Sequence, residues 1–95
     1  MQDFKAQLTK DLAETEWECL VPHAKRDALV VVSSHLDLVD VGVAIAGDDV
    51  MSVQHWIGEQ LIQKPSVEQL ASWNSNQDKR FYTLILQPYV LIKEV

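Results

Sequence analysis

The sequence predicts an α+β domain. Three observations carry this: apolar residues recur at helical spacing in five stretches, short β-branched runs separate some of them, and the tail "FYTLILQPYVLIKEV" reads as two extended segments. With 47% apolar residues and three tryptophans, the 95-residue chain suits one folded unit over residues 1–95. A chain of this size buries roughly 60–65% of its unfolded surface.

Residues 3–14 carry a narrow apolar stripe at Phe4, Leu8 and Leu12 and predict the first helix. "TEWE" places Thr15 three residues before Glu18, a capping-box pattern, and Trp17, Leu20, Val21 and Ala24 behind it form a second apolar face. Pro22 predicts a kink or restart there, because its ring removes a backbone donor. "ALVVV" at 28–32 predicts a buried strand. Ser34 and Asp37 offer another capping box before a helix over 37–46 that is apolar nearly all round, hence buried. Gly47 is expected to take the positive φ that ends this helix, and Asp48 to cap the next, over 49–60.

That helix places Val50, Val53 and Ile57 on one side with Trp56 beside them, all expected in the core. "LIQKP" predicts a short strand, and Ser66 with Gln69 caps a helix running to Trp73. "NSNQDKR" at 74–80 is the most loop-like stretch. Strands over 81–87 and 89–94 follow, bent at Pro88. The order α-α-β-α-α-β-α-β-β contains strand, helix, tight turn, helix, strand. That is the skeleton of a small winged-helix-like domain with an antiparallel sheet and a helix-turn-helix. The motif is degenerate: Val43 stands where a small residue is usual, and Asp48 follows the turn glycine in place of an apolar residue.

Charge narrows the function. Eight basic and fourteen acidic residues give a net charge of −6, which works against binding a polyanion. The outward side of the second motif helix offers Met51, Ser52, His55 and Glu59, not the Arg and Lys that read bases and grip phosphates. A cationic patch would need Lys64, Lys79 and Arg80 to converge at the wing; these are the phosphate-contact candidates, although loop lysines and arginines are ordinarily just solvated.

The sequence points to no catalytic set. Cys19 and His23 are four apart but straddle Pro22. His23, His35 and His55 fall in different elements without metal-ligand spacing, so no metal or cofactor is expected. Asp48 and Asp49 at a helix start serve as caps more often than as magnesium ligands. The tryptophans sit beside apolar partners, where packing is the usual role. A lone cysteine, no basic and apolar leader in "MQDFKAQL" and no long apolar run predict a reduced cytoplasmic protein outside any membrane.

In the tail, Tyr82, Leu84 and Leu86 point one way and Phe81, Thr83 and Ile85 the other. Both faces are thus largely apolar, and covering both taxes a small domain. Tyr82, Leu84 and Tyr89 therefore join Met51, Ser52, His55 and Glu59 as partner-binding candidates, for a homodimer or another protein. The alternative is a central strand with helices on both sides.

The segments "LAETEW", "VPHAKR", "LDLVDVGVAIAGDD", "VQHWI" and "QPYVLI" together resemble a small bacterial family, domain of unknown function 2288, over almost the whole chain. The resemblance implies no activity, substrate or catalytic residue. The expected function is a non-catalytic protein-interaction module. The alternatives are a DNA-binding regulator using a basic wing and, third, a small enzyme or ligand-binding protein.

Overall fold

The computed structural model describes residues 4–76, 78–86 and 88–95. Among them run α1 (Phe4–Asp11), β1 (Ala13–Glu16), α2 (Trp17–Lys25), β2 (Leu29–Val32), α3 (Leu38–Ala46), α4 (Val50–Gly58), β3 (Ile62–Gln63), α5 (Val67–Ser75), β4 (Arg80–Leu86) and β5 (Tyr89–Glu94). The strands form one sheet in the order β1-β4-β5-β2-β3. The domain is α+β, and its sheet is mostly antiparallel.

Alternation along the strands sorts the core into two layers. On one face Val32, Ile62, Leu84 and Leu91 pack with Leu8 of α1 and with Leu38, Val39 and Val41 of α3. On the other, Leu29, Val31, Phe81, Val90 and Ile92 pack with Trp17 and Leu20 of α2 and Trp73 of α5. Helices thus cover both faces of the sheet, the alternative weighed for the tail. The side chain of Phe4, the first member of the α1 stripe, lies outside the described residues.

Three sequence expectations are corrected. First, an extra strand, β1, precedes α2. Thr15 pairs with Phe81 in the ladder, so the expected capping box with Glu18 does not form; Glu16 is the N-cap and makes no side-chain cap bond. The backbone ladder with β4 takes up residues 13–16, and the Arg80 guanidinium, 2.8 Å from Glu14 and 3.6 Å from Glu16, adds two exposed ion pairs across it. Second, the sheet is not wholly antiparallel, because β2 pairs with β5 in parallel. The terminal hairpin forms the sheet's middle rather than a projecting wing, and this separates the arrangement from the expected winged helix. Third, Pro22 neither breaks nor restarts α2, which runs through it with the proline ring exposed.

The helix ends share a device. α2, α3 and α4 each close on a pair of backbone bonds, with the N–H two residues beyond the C-cap reaching back to a carbonyl five residues earlier. These bonds are Ala28 to His23 at 3.0 Å, Asp49 to Ala44 at 2.8 Å and Leu61 to Trp56 at 2.8 Å. This Schellman geometry needs a left-handed residue, ordinarily glycine. Here Asp27, Asp48 and Gln60 take it, with φ of 58°, 61° and 60°. Gly47, expected to hold the positive φ, sits one position early at −87°.

Replacing Gln60 with glycine is therefore expected to stabilise the domain by about 1 kcal/mol, because the left-handed region strains a long side chain. Asp48→Gly should gain less, since aspartate tolerates that region better. Urea unfolding of the two variants checks the order; a destabilised Gln60→Gly protein would refute the account.

Candidate functional site

α4 is the least buried helix. It contains no fully buried residue, and only Val53 and Trp56 pack against the core, half-buried. Val50 and Ile57, expected inside with them, are 53% and 55% exposed. The cause is placement: α4 rests on α3 and β3 at one edge of the sheet, too far out to seat its whole apolar side. Met51 is 83% exposed, His55 and Glu59 are exposed, and Ser52 is half-buried.

The helix starts on a cap one residue later than expected. Asp49, not Asp48, is the N-cap and accepts the Ser52 backbone N–H at 3.2 Å. Hydrogen bonds from the Ser52 side chain and then its backbone hold the Asp49 carboxyl below the ordinary value of 3.8. A depressed folded-state value means that the cap contributes fully above 3.8 and is lost as pH falls through the lowered value. The first turn of α4 should fray on acidification. The Ser52 amide, followed by NMR, should move with pH in the native protein and lose that movement in Asp49→Asn; an unchanged profile in the variant would contradict the assignment.

Because α4 stands off the sheet, two open depressions flank it. One, of about 180 Å³, is lined by Ala44, Ile45, Asp48, Asp49, Val50, Val53 and Gln54. The second, of about 590 Å³, is lined by Val30, Ile45, Val53, Ile57, Ile62, Gln63, Lys64 and Tyr89. Ile45 and Val53 line both, so the two depressions adjoin along α4 and are together called the trough; both linings are mainly apolar, with Asp48 and Asp49 at the α4 N-terminus. Apolar spacing in the sequence assigns this side of α4 to the core and the partner candidates Met51, Ser52, His55 and Glu59 to the other, and none of those four lines the trough: periodicity shows which residues share a side, not how far the helix sits from its neighbours.

The remaining partner candidates divide. Tyr82 and Tyr89 are 39% and 47% exposed. Leu84 is corrected: at 0% exposure it lies beneath α3, its Cδ2 in the space beside Gly42, and presents nothing to a partner. Ile85, on the opposite face, is 52% exposed.

The phosphate-contact candidates do not converge. Lys64 lies just past edge strand β3 and pairs with Asp27 at 2.5 Å; Arg80 opens β4 beside the opposite edge strand, β1, and pairs with Glu14 and Glu16. Lys79 pairs with Glu94 at 2.9 Å. Each cation already faces a carboxylate. The Glu14 hydrogen bond and charge raise the Arg80 value further, so it stays charged but locally neutralised.

Elsewhere, Cys19 is an exposed free thiol, while His23 Nδ1 accepts from Arg26 Nη2 at 2.5 Å. Trp17, Trp73 and Phe81 form a buried aromatic cluster, with Trp17 Nε1 donating to Asn74 Oδ1 at 2.9 Å. Among the described residues no three His, Cys, Asp or Glu side chains gather as a metal site, and no helix is long and apolar enough to cross a membrane.

No curated protein matches the chain. Its fold is similar to the NMR solution structure of PA1075 from Pseudomonas aeruginosa, with a TM-score of 0.81 and 29% identity, covering 99% of this chain and 86% of that one. The model of a family described as "Protein of unknown function (DUF2288)" matches residues 3–94, and the chain belongs to that family.

Proposed function

We propose that this domain is a non-catalytic protein-interaction module of the cytoplasm that engages its partner through the α4 side. The observation that carries the reading is the exposure of Val50, Met51 and Ile57 on one short helix, beside a half-exposed Tyr89. Large apolar side chains grouped on a small domain mark a binding surface more often than idle solvent contact. The free, exposed Cys19 fits a reducing compartment. Pairing of Lys64, Lys79 and Arg80 with carboxylates, together with the net charge of −6, weighs against the DNA-binding alternative.

The test is affinity purification of the tagged chain from its host at low salt, with and without nuclease. Proteins retained after nuclease treatment are the expected result. Material that disappears on nucleic-acid digestion would overturn the reading in favour of a nucleic-acid partner.

A further inference from the structure

We infer that the trough beneath α4 receives a cationic amphipathic segment of a partner protein; this rests on the interaction reading above and names the partner's chemistry. Apolar side chains one helical turn apart would seat on Ile45, Val53, Ile57 and Tyr89, with Lys or Arg beside Asp48 and Asp49.

Charge selects the occupant. Of the charged residues lining the trough, Asp48 and Asp49 are acidic, and Lys64 is the one cation. Lys64 is already held by Asp27, so no cation of this lining faces Asp48 and Asp49, the second of which also caps α4 through the Ser52 amide. The chain as a whole is at −6, so an approaching cationic segment is attracted from a distance as well as on contact. A second copy fits poorly. In a two-fold contact each copy would bring its own Asp48 and Asp49 to the same interface, setting four carboxylates together.

Shape points the same way. Small-molecule sites usually enclose most of their ligand. Here the depressions lie open along α4, which leaves the polar side of a bound helix in water while its apolar side is covered. Val50 and Ile57, one heptad apart on that helix and each more than half exposed, provide the apolar wall that such a segment would cover.

The probe is a short synthetic helix-forming peptide with Leu at i, i+4 and i+7 and Lys at the other positions. Its controls carry Glu in place of Lys, or the same residues scrambled to destroy the apolar stripe. Titrated into the nitrogen-labelled chain, the Lys peptide is expected to shift the amides of Ile45, Val53, Ile57 and Tyr89. The Glu and scrambled peptides should bind on the order of tenfold more weakly or not at all. Added salt should weaken the Lys peptide.

Ile57→Gln changes a half-exposed side chain and should leave the rest of the spectrum in place while abolishing binding; Asp48→Asn should weaken it. Equal affinity for Lys and Glu peptides, or shifts confined to another surface, overturns the inference. So does a dimer, seen by sedimentation, that Ile57→Gln dissociates, because the occupant is then a second copy. Purification with wild-type and Ile57→Gln bait separates the two levels. Partners retained equally by both remove the trough but leave the interaction module standing; no protein partner with either bait ends the broader reading.

Discussion

Phe81→Ala is expected to destabilise the domain by about 3–5 kcal/mol, against a total of about 5–15 kcal/mol for a chain of this size. Phe81 is fully buried in β4, between β1 and β5. Its ring lies 4.9 Å from Trp73 in an edge-on arrangement and 5.9 Å from Trp17, and the two indoles are 5.1 Å apart. Removing it leaves a cavity between two large, rigid indoles, where collapse is difficult, and strips the aromatic contacts that add to burial. Urea unfolding followed by tryptophan fluorescence reads the loss as a lower midpoint at unchanged slope. A loss below about 1 kcal/mol would mean that the cluster relaxes freely and is not the keystone of its layer.

The second large effect concerns the opposite face. A Cβ at Gly42 would stand 2.6 Å from Leu84 Cδ2, with Leu8 Cδ1 at 3.4 Å and Leu86 Cδ1 at 3.5 Å. Glycine here lets α3 press directly onto β4. Gly42→Ala sets a helix-propensity gain of about 1 kcal/mol against an overpacking penalty of about 1–3 kcal/mol, and should be mildly destabilising. Gly42→Val adds two more methyls and a stiff branch to the same space. It is expected to lose about 3 kcal/mol or more. A second change, Leu84→Ala, opens room at the clash, so Gly42→Val combined with Leu84→Ala should lose much less than the sum of the two. Additive losses would show that the close approach is not what excludes a side chain at Gly42.

Local signals served the fold well where chemistry is local. Ser66 with Gln69 forms the full capping box of α5, while at α3 the expected Ser34–Asp37 box is replaced by Asp37 itself as N-cap, accepting from the Val39 and Asp40 amides. Alternation in the tail assigned Phe81 and Leu84 to opposite faces, and each lies in the expected separate core layer. Signals that depend on distant partners misled. Ala13–Glu16 has no strand-like pattern of its own and becomes β1 through its backbone ladder with β4, whose Arg80 also reaches Glu14 and Glu16. The parallel β2–β5 pairing is invisible in either segment, since a run such as "LVVV" suits a parallel or an antiparallel neighbour equally.

The candidate site was half legible. Apolar spacing placed Val50, Val53, Trp56 and Ile57 together. Only packing decided that Val53 and Trp56 turn towards the core while Val50 and Ile57 line an open trough. The lysines and Arg80 were visible as cations, but their neutralising carboxylates come from other elements and could not be matched by eye along the chain.

The position of β4 and β5 sets a schedule for biogenesis. Both strands belong to the hairpin that follows all the others in sequence, and every earlier strand except β3 needs one of them as a neighbour. While the ribosome is still making residues before Arg80, β1 has no ladder to join and β2 has only the two-residue β3 beside it. The nascent chain thus carries Leu29–Val32 without its main neighbour until Tyr89–Glu94 has been made, and most of the sheet assembles only after that hairpin emerges.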